Sequence, residues 1–88
     1  MTLREFLTRH ANVGEIVIIR ENGWQVAMTR VDNNKLYLGG LSPRLLDDCE
    51  VINFTYESRD WATVIVLVIE VLPTKEVSRR VREGMVSR

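Results

Sequence analysis

The sequence predicts an α+β fold in which a short N-terminal helix packs on a bent five-stranded antiparallel sheet or partly open barrel. Three observations support this prediction: helical spacing behind a capping signal at the N-terminus, an Asn-Gly pair between two β-rich segments, and an aliphatic run from Val64 to Ile69. The 88 residues suit one domain. Residues 1–73 are predicted to form the α+β domain, and residues 74–88 a basic C-terminal tail or short helix.

The N-terminal helix is predicted from Thr2 and Glu5, which have the spacing of a capping box. Apolar and aromatic side chains then recur on one helical face: Leu3, Phe6, Leu7 and His10. The helix is expected to end near Ala11. Because so short a helix covers only part of a sheet, some apolar sheet surface is expected to remain exposed.

The first predicted hairpin turns at Asn22-Gly23, a pair that tolerates the positive φ angles of a type I′ turn. The strands are Glu15 to Arg20 and Trp24 to Val31, with Glu21 opposite Trp24. In this register the core face consists of Val17, Ile19, Trp24, Val26 and Met28.

The middle of the chain is predicted to form a short strand from Leu36 to Gly39 and then a brief helical turn. Ser42-Pro43 supplies an N-cap and a first-turn proline for that turn, which runs through Asp47. Three leucines are expected to attach it to the core: Leu41, Leu45 and Leu46.

The second predicted hairpin contains the run from Val64 to Ile69, which is too short to span a membrane and is β-branched. A four-residue loop at 57–60 would pair Tyr56 with Trp61 and Phe54 with Thr63. The predicted core face is Ile52, Phe54, Tyr56, Trp61, Ile65, Leu67 and Ile69, and the opposite face carries Val51, Ala62, Val64, Val66 and Val68. A strand that is apolar on both sides needs cover on both sides. We expect cover from the N-terminal helix together with a homodimer partner, sheet against sheet or edge against edge, with a monomer as the alternative.

Composition excludes several classes of protein. Twelve basic and twelve acidic residues give zero net charge, so no overall field attracts nucleic acid or anionic lipid. The single cysteine, Cys49, cannot form an internal disulfide, and the charged N-terminus has no apolar signal region. A cytoplasmic location without membrane attachment is predicted.

No catalytic, metal or cofactor site is predicted, and the chain is expected not to be an enzyme. His10 is the only histidine and is interpreted as a partly buried packing residue, and Cys49 as a small buried hydrophobe. Three acids, Asp47, Asp48 and Glu50, lack the alternating ligands and glycine of a calcium loop.

Partner contacts are predicted instead, and the leading hypothesis is a non-enzymatic protein-interaction module. The predicted contact residues are Trp24, Trp61, Val64, Val66, Val68, Arg79, Arg80 and Arg82. A second copy of the chain and a host protein are the expected partners. Core or rim packing of the two tryptophans remains an alternative.

The order of motifs resembles a group of short uncharacterised reading frames from phages and conjugative elements of Gram-positive gut bacteria. The resemblance covers most of residues 1–71 and lies in Val17 to Arg20, Gly23, Pro43, Leu45 to Asp47 and Val51 to Phe54. It implies a module of a mobile element, and no particular biochemical activity.

A second resemblance is to the Sm-like RNA-binding barrel. Here a helix, a strand, Asn22-Gly23 and a further strand precede Val31-Asp32-Asn33-Asn34. The resemblance implies that Asp32, Asn33 and Asn34 contact uridine. The alternative function is therefore a small Sm-like or SH3-like RNA- or DNA-binding protein that uses this loop, Trp24 and the basic C-terminal segment.

Overall fold

The computed structural model describes residues 1–32, 40–61 and 65–82. Three helices and four strands occupy these ranges: α1 Leu3–His10, β1 Ile16–Glu21, β2 Trp24–Arg30, α2 Pro43–Asp47, β3 Cys49–Glu57, β4 Val66–Pro73 and α3 Thr74–Arg82. The fold is α+β with a short N-terminal helix, as the sequence predicts. The predicted strand from Leu36 to Gly39 lies outside the described residues.

The four strands form one mixed, open sheet in the order β2-β1-β4-β3. The outer pairs β1–β2 and β3–β4 are antiparallel, whereas β1 and β4 run parallel at the centre of the sheet. The prediction of a wholly antiparallel sheet is therefore wrong, and five strands are not confirmed. The described strands do not close into a barrel.

Helix α1 begins with the predicted capping box. The Thr2 hydroxyl accepts from the Glu5 backbone N–H, and the Glu5 carboxylate accepts from the Thr2 N–H. Its apolar side packs on the sheet through Leu3, Phe6 and Leu7. Beneath it lie side chains that alternate along the two central strands: Val17, Ile19, Leu67, Ile69 and Val71. We call this the helix face of the sheet.

Helix α2 attaches to the same core and is joined to its neighbours by charge. Leu45 and Leu46 are buried, and the Ser42 hydroxyl accepts from the Leu45 N–H. Arg4 donates to both carboxylate oxygens of Asp47, at 2.6 and 3.0 Å, which links α1 to α2. The predicted N-cap, first-turn proline and leucine contacts of this helix are confirmed.

The first hairpin turns at Asn22 and Gly23, whose φ angles are 54° and 80°, and Glu21 pairs with Trp24 as predicted. A β-bulge then shifts the register, so that Ile19 pairs with Ala27 and not with Val26. Ala27 packs against the core, whereas three predicted core residues are exposed: Trp24, Val26 and Met28. The predicted inward face of β2 is therefore wrong. The bulge reverses the alternation from Val26 onward, whereas Trp24 keeps its predicted partner Glu21 and is exposed at the end of the hairpin.

Strand β4 lies between β1 and β3 and is buried on both faces. Leu67 and Ile69 point to the helix face, and Val66 and Val68 form a second cluster with Ile18 on the opposite face. The predicted central, two-sided strand is thus confirmed for Val66 to Ile69. Val64 lies outside the described residues, and Ile65 is exposed and precedes the strand.

The β3–β4 register differs from the predicted one. Tyr56 pairs with Leu67 and Phe54 with Ile69, so the connection between the strands runs from Ser58 to Ile65. Phe54 and Tyr56 do share the helix face with Leu67 and Ile69, as predicted. The prediction of a four-residue loop at 57–60 is therefore wrong, because Glu57 pairs with Val66.

The sequence left open whether the C-terminal segment is a tail or a helix. Residues Thr74–Arg82 form helix α3 directly after Pro73. It packs back against β3 and β4 and buries Val77.

Candidate functional site

Exposed apolar side chains concentrate on the two outer strands of the sheet. Six of them are between 46% and 77% exposed: Trp24, Val26 and Met28 on β2, and Ile52, Phe54 and Tyr56 on β3. Single exposed apolar residues are ordinary, but contiguous ones on an outer strand mark contact sites or aggregation sites. The two outer strands therefore carry candidate contact surfaces of the sheet.

The outer edge of β3 is covered only at its beginning. The Val51 N–H donates to the Met1 carbonyl at 2.9 Å, and Thr2 forms an isolated antiparallel bridge with Glu50. The N-terminal ammonium group lies 3.5 Å from the Glu50 carboxylate. Since β3 is the last strand of the sheet, no described strand lies along its outer edge from Ile52 to Glu57. We call residues 52–57 the open edge.

The open edge lacks the charges that protect most outer strands. Its first five residues, Ile52 to Tyr56, are uncharged, and its one acid, Glu57, is paired with Arg59 at 3.1 Å. Outer strands are commonly protected by lysine, proline, bulges or shortness. A bulge at Ile52, between Val51 and Asn53, interrupts the first residue of the open edge. The remaining edge is suited to pairing with another strand.

A depression of about 270 Å³ runs between α1 and β3. Its lining residues are Met1, Phe6, Val51, Ile52, Asn53 and Phe54. The ring centroids of Phe6 and Phe54 are 5.0 Å apart and tilted by 55°, and Phe6 also contacts His10 at 5.1 Å. His10 is exposed, so the prediction that it is partly buried is wrong. The depression extends the apolar surface of the open edge toward the helix.

A second apolar depression, of about 330 Å³, lies on the opposite face of the sheet. Ile16, Met28, Thr29, Arg30 and Trp61 line it. Trp61 is therefore exposed beside the beginning of β1, whereas Trp24 lies next to the hairpin turn, opposite the last residue of β1, Glu21. The two predicted tryptophan contacts do not form one surface.

The predicted valine contacts are not accessible. Val66 and Val68 are 0% and 2% exposed within the single chain, in the cluster with Ile18. They require no second copy to cover them, so their assignment as partner contacts is wrong. Val64 falls outside the described residues.

The basic C-terminal residues are partly neutralised within α3. Arg79 and Arg80 both donate hydrogen bonds to the Glu76 carboxylate, the latter at 3.2 Å. These bonds, with the one from Arg79 the stronger cause, lower the pKa of Glu76 to about 2. Arg82 is exposed. Two of the three predicted arginine contacts are thus already matched by an acid.

The predicted nucleotide-contacting loop can be placed only at its start. Asp32 is exposed directly after the buried Val31. Asn33 and Asn34 lie outside the described residues.

The side chains that could act as a nucleophile or as metal ligands are engaged in packing or in ion pairs. Cys49 is buried, and desolvation raises the pKa of its thiol, as do the nearby Glu21 and Asp48, while Arg44 opposes the rise. Asp47 pairs with Arg4, and this hydrogen bond lowers the pKa of Asp47. Within ranges 1–32, 40–61 and 65–82, no three His, Cys, Asp or Glu side chains are arranged to hold a metal ion.

A third depression, of about 600 Å³, is lined by Arg44, Asp48, Pro73, Thr74 and Lys75. Arg44 donates to the Glu21 carboxylate at 3.1 and 3.2 Å, so its charge is already paired.

None of the described helices is long and apolar enough to cross a membrane. The open edge of β3 is the surface with the clearest physical capacity to bind.

No family model, curated protein or solved structure matches the chain.

Proposed function

We propose that the chain is a non-enzymatic protein-interaction module that binds an extended segment of a protein partner along the open edge of β3. The observation that supports this proposal is the coincidence of three half-exposed apolar side chains, Ile52, Phe54 and Tyr56, with a strand edge that no other strand among the described residues covers. In this recognition mode the backbone groups supply affinity and the alternating side chains supply specificity.

Two contributions to the free energy of such binding can be estimated: burial of the aromatic side chains and new backbone hydrogen bonds. A fully buried aromatic side chain removes about 150–250 Å² from water, so covering a half-exposed Phe54 and Tyr56 contributes roughly 2 kcal/mol each. Four to five added backbone pairs would contribute further, at about 1 kcal/mol per hydrogen bond. The depression beside Phe6 would receive an apolar side chain of the partner.

The proposed setting in a phage or mobile element, with a host protein as the target, rests on the sequence resemblance. The proposed cytoplasmic location rests on the single cysteine and the charged N-terminus. Nucleic-acid binding is the weaker alternative, because Arg79 and Arg80 hydrogen-bond Glu76. Of the two predicted protein partners, a second copy and a host protein, the open edge is proposed to bind the host protein.

Replacing Tyr56 with Lys should abolish the capture of protein partners from a host lysate by the immobilised chain. The added charge blocks strand pairing and removes an aromatic contact, so we expect at least a tenfold loss of bound protein at high salt. Met28→Lys is the matched control, since Met28 is similarly exposed on the other outer strand. Equal capture by Tyr56→Lys and the unmodified chain would contradict the proposal.

A further inference from the structure

We propose that the partner segment bound along the open edge carries two apolar residues separated by one residue, and beside them an acidic residue that pairs with Arg9. This inference rests on the proposed function and specifies the chemistry of its partner. Three features of the described residues support it: the direction of the backbone groups of β3, the depression beside Phe6, and the positive charge of the last turn of α1.

The backbone groups that the open edge offers to a partner belong to Phe54 and Tyr56. The Val51 N–H points away from β4, because it donates to the Met1 carbonyl on the outer side of β3. Val51, Phe54 and Tyr56 all pair with helix-face residues of β4 and so share that face. In a strand of L-residues, the face on which a side chain lies fixes the direction of the N–H and C=O of the same residue. Phe54 and Tyr56 therefore present both groups outward, whereas those of Thr55 point to β4.

A partner strand that pairs with Phe54 and Tyr56 alternates its side chains in the same way. Two of its residues, separated by one, lie on the helix face and cover Phe54 and Tyr56, each of which is 50% exposed. The depression of about 270 Å³ beside Phe6 lies at the Phe54 end of this surface. Apolar side chains at the two positions therefore remove the most apolar surface from water. The residue between them lies beside the exposed Thr55, where a polar side chain is tolerated.

Helix α1 advances along β3 toward the Tyr56 end of the open edge. Its start lies beside the beginning of β3, where Thr2 forms a bridge with Glu50. One turn later, Phe6 contacts Phe54. The last turn of the helix therefore follows beyond Phe54, beside the part of β3 that contains Tyr56.

The last turn of α1 is basic on the flank that faces the open edge. Arg9 is three residues from Phe6 and so lies on the same side of the helix, and the exposed His10 contacts the Phe6 ring. The opposite flank of α1 faces α2, where Arg4 pairs with Asp47. Of the two exposed arginines of this helix, Arg9 is thus the one beside the open edge.

The Arg9 guanidinium remains able to bind a carboxylate of a partner. The acid that it influences within the helix is Glu5, whose pKa is lowered first by hydrogen bonds from Thr2 and to a lesser extent by the charge of Arg9. The Glu5 carboxylate accepts from both the N–H and the hydroxyl of Thr2. Charge complementarity therefore favours an acidic residue in the partner segment at the Tyr56 end.

Selection from a phage-displayed library of random dodecapeptides on the immobilised full chain tests the pattern. We expect the enriched peptides to carry two apolar residues separated by one, with Asp or Glu close by. A synthetic peptide of the enriched sequence, followed by fluorescence polarisation, should bind Tyr56→Lys at least tenfold more weakly than the unmodified chain. Met28→Lys should leave its dissociation constant unchanged.

The charge reversal Arg9→Glu tests the acidic residue. The dissociation constant of the enriched acidic peptide should rise about tenfold, and a selection repeated on this variant should enrich Lys or Arg in place of Asp or Glu. The difference should shrink as the salt concentration is raised. Thr8→Glu is the matched control, since Thr8 is exposed on the side of α1 away from Phe6. It should change neither the affinity nor the enriched pattern.

Failure of this inference can be separated from failure of the proposed function. Enriched peptides that lose binding in Tyr56→Lys but lack the apolar spacing, or that keep their affinity and acidic preference in Arg9→Glu, overturn this inference alone. A selection that enriches no peptide, or enriches peptides that bind Tyr56→Lys as tightly as the unmodified chain, overturns both proposals.

Discussion

Val68→Asp should unfold most of the domain at neutral pH. Val68 is 2% exposed and lies between Ile18 of β1 and Thr55 of β3 on the face away from α1. Its neighbours in that cluster are the aliphatic side chains Ile18, Val66 and Ile16. An unpaired buried charge costs about 3–5 kcal/mol, and loss of valine packing adds to this. Small domains have a total stability near the lower end of about 5–15 kcal/mol.

The prediction is checked by urea unfolding and by the dispersion of amide proton resonances. Met28→Asp is the matched control, because Met28 pairs with Ile18 on the same face yet is exposed. We expect that control to remain folded, with a loss of at most about 1 kcal/mol. An unchanged urea midpoint for Val68→Asp would show that this face of β4 is open to water.

Leu7→Ala should lower the free energy of unfolding by about 2–5 kcal/mol, the range for fully buried leucines. Leu7 is 0% exposed and is one of three α1 residues buried in the helix-face core. Since α1 has only eight residues, it cannot be stable without this packing. Its detachment would also uncover Ile19 and Ile69.

Chemical denaturation measures the effect, and Thr8→Ala is the control on the exposed side of the same helix. That control should change stability by about 0.5 kcal/mol or less. If both variants unfold at the same denaturant concentration, α1 does not cover the core as described.

Local signals in the sequence predicted the local structure well. The Thr2–Glu5 capping box, the Asn22-Gly23 turn and the Ser42-Pro43 helix start each act within a few residues, so no tertiary information is needed to recognise them. The apolar content of Val66 to Ile69 likewise indicated burial on both sides.

Register and strand order could not be obtained in the same way. The bulge opposite Ile19 and Arg20 reverses which side of β2 faces the core from Val26 onward. The residue types in β2 do not indicate that a bulge is present. The parallel contact of β1 with β4 joins segments far apart in sequence. The β3–β4 register depends on a connection of unpredicted length, from Ser58 to Ile65.

The candidate surface was only partly visible in the sequence. A short helix was expected to leave apolar surface exposed, but Phe54 and Tyr56 were assigned to the core because they alternate with polar residues. They do point to the helix face, yet β3 is the outer strand and α1 reaches it only near Phe6. The exposure of Phe54 and Tyr56 depends on the order of the strands in the sheet. The alternation of apolar and polar residues along one strand does not reveal that order.

Amide hydrogen exchange with and without a saturating peptide enriched from the library tests the central claim most directly. If an extended segment pairs along the open edge, amides within Ile52 to Glu57 that point outward should exchange more slowly when the peptide is bound, while those of β2 stay unchanged. Exchange in β3 that is independent of the peptide, or protection that increases in β2 instead, would contradict the account.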